Sequence, residues 1–277
     1  MAGRTDAFLD TNVLFGSPSF DMLLTLGMRE YGLYHPLWSE YVFDELGEHV
    51  PDRIARTLGG RNDGGAIWAE TAARARRLTA HRLAAMRRAF PDSMVDVPPE
   101  VVAEYPDSLT GDPDDKPIAV GAIVGRADVL VTNNRKDFDI DRIAEYRPMR
   151  LMDASGFMNL LMREDRTAFY GALGDMLSSH KRHPTNLREL VKDLESNPDL
   201  RRIGHLIEED VAMRYERARL AVFGRTATHR RGVQERDRLG RFGHVVGGCD
   251  SADDIEPPYP APTGEMWGPD GNGPALA

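Results

Sequence analysis

Gly111-Asp112-Pro113-Asp114-Asp115-Lys116-Pro117-Ile118-Ala119-Val120-Gly121-Ala122-Ile123-Val124, followed shortly by Asp128-Val129-Leu130-Val131-Thr132, is the stretch on which the fold turns. Carboxylates ahead of an apolar run, with proline in the first turn, mark the start of a helix, where unsatisfied N–H groups favour negative charge. The segment from Asp128 to Thr132 is apolar and β-branched and reads as a buried strand. A helix leading into a buried strand is the repeating unit of a parallel sheet.

The same alternation extends in both directions. Ala7-Phe8-Leu9 is a short buried strand ending in the polar Asp10-Thr11-Asn12. A helix carrying Met22, Leu23, Leu24, Leu26 and Met28 follows, then a strand over Leu33-Tyr34-His35-Pro36-Leu37. Ser39 offers an N-cap for a helix from Glu40 to Val50. Gly59-Gly60 and Gly64-Gly65 flank a polar loop, and a long helix rich in Ala and Arg runs from about Ala66 to Phe90. Met94 to Val97 is a weak strand, Asn133 to Phe138 a loop, and Met149-Arg150-Leu151-Met152 the last strand. Past residue 157 the strands stop. Phe169, Leu173 and Leu177 share one helical face, and Leu187, Leu190, Val191 and Leu194 share another. The expected organisation is an α/β sandwich over residues 1–157, a helical extension over 158–223, and a tail over 224–277. The tail, rich in Pro, Gly and acid at its end, is expected to be disordered.

Composition narrows the function classes. Of 277 residues, 41% are apolar, an ordinary share for a globular chain. No apolar run approaches the roughly 20 residues of a membrane span. The stretch Met1 to Asp6 lacks a secretory signal's apolar core, and the lone Cys249 has no disulfide partner in the chain, so a cytoplasmic protein is expected. The formal net charge of −9 is unlike that of a general nucleic-acid binder. Affinity for a polyanion would have to come from local patches or bound cations.

Four carboxylates stand out by position: Asp10 at the end of the first strand, Glu45 in the helix after the second, Asp115 in the first turn of a helix, and Asp137 in the loop after a late strand. The carboxyl ends of the strands form the ligand crevice of an open α/β sheet, and three of these acids fall at or near that edge. Converging carboxylates repel unless neutralised, and Mg²⁺ or Mn²⁺ prefers such oxygen ligands. Two such ions can activate a water and stabilise a leaving oxygen in phosphodiester hydrolysis. Taken singly, each acid has a plainer role: a turn or cap residue for Asp10, a solvated helix charge for Glu45, a complement to the helix dipole for Asp114 and Asp115.

The whole pattern resembles the PIN-domain ribonucleases. Phe8-Leu9-Asp10-Thr11-Asn12-Val13-Leu14 is similar to that family's opening strand, and Trp38-Ser39-Glu40-Tyr41-Val42-Phe43-Asp44-Glu45-Leu46 to its second motif. Asp112-Pro113-Asp114-Asp115, with Ala119, Ala122 and the strand Ala127 to Thr132, is similar to the third. Asn134-Arg135-Lys136-Asp137-Phe138 is similar to the fourth. The segment Met162 to Leu206, with His183-Pro184 and Leu187-Arg188-Glu189-Leu190, looks like the helical extension of the VapC-like toxins. This resemblance implies a three-layer α/β/α sandwich with a five-stranded parallel sheet. It also implies a single-strand-directed endoribonuclease of a type II toxin–antitoxin pair, with Mg²⁺ or Mn²⁺ on Asp10, Glu45, Asp115 and Asp137. RNA as substrate and a cognate antitoxin as partner follow, and a homodimer is compatible. A PIN fold without catalysis, acting as a binding module, is the alternative. Where many relatives place Asp after the strand-end threonine, this chain has Asn133 and Asn134, so Asp137 takes the fourth position. Asp114 and Asp115 compete for the third.

The arginines of the long helix, Arg74, Arg76, Arg77, Arg82, Arg87 and Arg88, with His81, are either a phosphate-binding set or a solvated face. A basic arm from Arg225 to Arg241 either grips RNA or a partner or is a disordered solubilising tail. Asn12 is expected to order the Asp10 loop, His35 and His183 to serve in turns or packing, and Trp38 to anchor the core.

Overall fold

The computed structural model describes residues 4–57, 66–181 and 183–215. Expectations for the arm and tail beyond residue 215 therefore lie outside the described residues. The strands are β1 (Thr5–Leu9), β2 (Tyr34–Ser39), β3 (Met94–Val95), β4 (Val129–Val131) and β5 (Arg150–Met152). They form one five-stranded sheet in the order β3-β2-β1-β4-β5, with every pairing parallel. The chain is thus α/β with β1 at the centre, and Ala7, Phe8 and Leu9 are fully buried there.

The helices that cover the sheet are α1 (Ser19–Gly27), α2 (Glu40–Thr57), α3 (Ala66–Ala89), α4 (Pro99–Ala103), α5 (Lys116–Val124), α6 (Ile140–Tyr146), α7 (Ala154–Glu164), α8 (Arg166–Ser179) and α9 (Leu187–Ser196). Strand residues alternate between faces, so Phe8 and Tyr34, in register with Leu37 and Thr5, point to opposite sides. Phe8 meets α5 at Gly121. Tyr34 donates its hydroxyl to the Leu23 carbonyl of α1 at 2.7 Å and stacks edge-on to Phe157 of α7 at 4.9 Å. Helices therefore flank the sheet on both faces, as three layers.

Several elements differ from the sequence expectation. α2 does not stop at Val50 but continues through Pro51 to Thr57. Val50, Pro51, Ile54 and Ala55 are all buried, and this packing outweighs the hydrogen bond that Pro51 removes. Ser39 does not cap α2: it ends β2, and its buried hydroxyl has no partner. Met28 lies one residue past α1, and β3 is only two residues long because it is an edge strand. Residue 157 falls inside α7, whose Phe157 is part of the core. α8 packs on α1 and α9 on α8. The chain to residue 205 belongs to one compact unit, and residue 206 begins a second, described only to 215, where it is helical.

Among the residues given packing roles, Trp38 is fully buried against Phe43 and Phe90, and His35 pairs with Asp6 at 2.8 Å. His183 lies between Asp193 and Glu189. The α3 arginines are not one set. Arg82 turns inward, only 3% exposed, with its guanidinium over the Phe20 ring at 3.2 Å.

Candidate metal centre

Asp10 follows β1 directly. Its backbone N–H extends the ladder to β4 by donating to the Val131 carbonyl at 3.0 Å, which seats the side chain at the carboxyl edge of the central strands. The side chain is 3% exposed. The Asn12 amide donates to the Asp10 carboxylate and to the Thr132 hydroxyl at 3.0 Å, and its carbonyl accepts from the Asn133 N–H at 3.0 Å. Asn12 therefore ties the loop after β1 to the loop after β4. Burial pushes Asp10 up to about 6, against the opposing hydrogen bonds from Thr132, Asn12 and Thr11, and Glu45 raises it further.

Glu45 comes from α2, one turn past Tyr41. The Thr11 hydroxyl donates to its carboxylate at 2.6 Å, linking α2 to the Asp10 loop. Asp115 ends a 3₁₀ turn, Pro113–Asp115, and sits at the N-cap position of α5 without a side-chain capping hydrogen bond. One of its oxygens is buried without a hydrogen-bond partner. Burial is the largest cause that pushes Asp115 up to about 7, and the charges of Asp10, Asp112, Asp137 and Glu45 follow. The other three acids singled out in the sequence thus all act on Asp115.

Asp137 lies in a second 3₁₀ turn, Arg135–Asp137, and accepts from the Asn134 side chain. That turn is stitched to the Asp115 loop: Gly111 N–H donates to the Asp137 carbonyl at 2.7 Å, and Asp139 N–H to the Leu109 carbonyl at 2.9 Å. Asp114 is exposed and offers only its backbone carbonyl, which accepts from the Tyr41 hydroxyl at 2.9 Å. Of the two, Asp115 is the half-buried one, and Asp10, Asp137 and Glu45 act on it. Asn133 faces elsewhere, accepting from the Ala154 N–H at the start of α7.

The close approach of α5 to β1 sets this convergence. A Cβ on Gly121 would lie 2.5 Å from the Phe8 ring, so only glycine lets the helix that begins after Asp115 lie so near the strand that ends before Asp10. Cations do not offset the acids. Lys116 reaches Asp107 at 2.6 Å, Arg135 leans toward Asp153 at 3.7 Å, and among the described residues no Lys or Arg pairs with the four carboxylates. A depression of about 500 Å³ lined by Thr5, Asp128, Pro148, Met149 and Arg150 lies at the amino ends of the strands, the edge opposite the acids.

Sequence reasoning missed Tyr41. Its phenol is pushed up to about 12 by burial first, then by Glu45, Asp114, Asp115 and Asp10, so it remains a hydrogen-bond donor inside the acidic centre. Tyr41 stands one helical turn before Glu45, and that spacing was the available signal.

The raised carboxylates predict an unusual pH response. Asp10 and Asp115 bind protons more tightly folded than unfolded, so between about pH 4 and 7 the folded state holds more protons, and stability falls as pH rises through that window. The metal-free chain should melt at a higher temperature at pH 6 than at pH 8. An Asp10→Asn/Asp115→Asn variant should show a smaller difference. Thermal melts across this range check it, and equal pH responses in both forms would contradict it.

Compared with protein-family models, with curated proteins and with solved structures, the chain matches none.

Proposed function

We propose that this chain is a PIN-like, metal-dependent endoribonuclease that hydrolyses RNA phosphodiester bonds and is the toxin of a toxin–antitoxin pair. The observation that carries the reading is Asp115: a half-buried carboxylate with an orphaned oxygen, raised by the charges of Asp10, Asp137 and Glu45. Four acids from separate parts of the chain are held together against their own repulsion. Oxygen donors without Cys or His suit Mg²⁺ or Mn²⁺ and not a thiolate-bound zinc.

Asp10, Glu45, Asp115 and Asp137 are the residues that would hold the ion. When bound, it lowers the pKa of a water and balances charge on the scissile phosphate. The chain's own groups do the positioning. Asn12 and Thr132 fix the Asp10 carboxylate, and Thr11 fixes Glu45. Tyr41 anchors the Asp114 carbonyl and with it the Asp115 turn. The toxin assignment is supported by the motif resemblance, and an antitoxin segment placing an Arg or Lys among these carboxylates would satisfy their charge.

Calorimetry on the metal-free full chain tests the centre. Mn²⁺ should bind at micromolar to millimolar concentration, and Asp115→Asn should weaken it about tenfold or more. Absence of Mn²⁺ binding at millimolar concentration removes the mechanism. Metal binding with RNA binding but no cleavage would instead make the chain a binding module.

A further inference from the structure

Apart from the inward Arg82, α3 carries its arginines on its exposed side. Arg74, Arg77, His81 and Arg88 recur at helical intervals and share a stripe, with Arg76 and Arg87 about 120° around the helix from it, and all six are exposed. Ala72, Ala75, Thr79 and Met86 on the opposite side are buried, and α3 packs on α2. Glu70 is the one acid in the helix. Arg87 is bound to Glu40 of α2 at 2.6 Å, but among the described residues Arg74, Arg76, Arg77, His81 and Arg88 make no ion pair. Such a concentration of arginines without ion pairs stands out in a chain with a net charge of −9.

The stripe from Arg74 to Arg88 is about 21 Å long at the helical rise. Arg74, Arg76 and Arg77 lie within the ~10 Å screening length at 0.1 M salt and repel one another, and Arg87 and Arg88 do the same roughly 16 Å further along. A chain of regularly spaced anions relieves that repulsion along the whole stripe. The acidic centre, by contrast, repels phosphate, so affinity for a phosphodiester chain must come from another surface. The stripe ends toward α2: Arg87, next to Arg88, ties this end of α3 to Glu40, the residue before Tyr41 and five residues before Glu45.

We propose that the exposed basic face of α3 holds the phosphodiester backbone of single-stranded RNA on its way to the acidic centre. This rests on the nuclease reading. The experiment is therefore done without cleavage or metal, so that the two can fail separately. The full chain carrying Asp10→Asn is titrated in EDTA against a fluorescent single-stranded RNA of about 20 nucleotides, between about 50 and 200 mM salt. Adding Arg74→Gln, Arg77→Gln and Arg88→Gln should reduce the salt slope by about 2, near 0.7 per charge on a single strand, and weaken binding about tenfold at the lower salt. If that variant does not melt like its parent, Arg77→Gln with Arg88→Gln should reduce the slope by about 1.4. Arg188→Gln with Lys192→Gln, exposed on α9, should leave the slope as it is. An unchanged slope and affinity in the α3 variants would overturn the proposal. So would variants that keep RNA binding but lose binding to a synthetic peptide of residues 250–277, which would assign the face to an acidic segment instead. A wild-type chain that cleaves no RNA with Mn²⁺ would overturn the nuclease reading and leave this binding result standing.

Discussion

Asp10→Asn should reduce Mn²⁺-dependent cleavage of single-stranded RNA by about two orders of magnitude or more, while the fold survives. Asp10 is the most enclosed of the four acids, and its neighbours Asn12 and Thr132 are arranged to present it. The amide keeps the side-chain shape and removes one negative charge from the proposed ligand set. It also brings an N–H toward the donating Asn12 amide, so the loop loses a hydrogen bond as well. Asp115→Asn should approach the same loss. Glu45→Gln should respond in part to excess Mn²⁺, because Glu45 is less enclosed than Asp10. Asp44→Asn should be neutral, since Asp44 is exposed and about 100° around α2 from Glu45. Expression of the wild-type chain alone should arrest growth, and Asp10→Asn at matched levels should not. Cleavage that is indifferent to both Asp10→Asn and EDTA would place the chemistry elsewhere.

Gly121→Ala should destabilise the chain by about 1–3 kcal/mol, the range for overpacking a filled core. The new Cβ would meet Phe8 Cζ at 2.5 Å and Cε2 at 2.8 Å, and Phe8 is fully buried between β2 and β4 with no room to swing aside. The expected drop in melting temperature is roughly 3–10 °C. Moving α5 away from β1 also moves Asp115 away from Asp10, so Mn²⁺ affinity should fall with stability. Phe8→Leu shortens the ring that clashes, so Gly121→Ala should cost less in a Phe8→Leu background than alone. Additive costs in the double variant would mean that the contact is not what confines this position.

The arrangement of elements was legible in the sequence because it rests on local signals. The apolar runs at Phe8 and Val129, the carboxylate-and-proline helix start at Lys116, and the alternation of strand and helix all act over a few residues. They specify a parallel sheet, and the structure has one of five strands. Boundaries were less legible. Pro51 reads as a stop, yet α2 continues through it because Val50, Ile54 and Ala55 are buried, a gain that only the assembled layers provide.

The acids illustrate the same division. Their positions at strand ends and first turns could be read residue by residue, and so could the role of Asn12 in ordering the Asp10 loop. Whether Asp114 or Asp115 turns inward could not, since both occupy the same short turn and differ only in what faces them. The tertiary fold decided it, by stitching Gly111 to Asp137 and letting α5 close on Phe8 at Gly121. The inward turn of Arg82 amid outward arginines was equally hidden, because it depends on the Phe20 ring of α1, far away in sequence. Local chemistry determined which residues could start, end or cap an element. Which charges were brought close enough to shift one another was left to long-range packing, because Coulomb energy depends on distance in space and not along the chain.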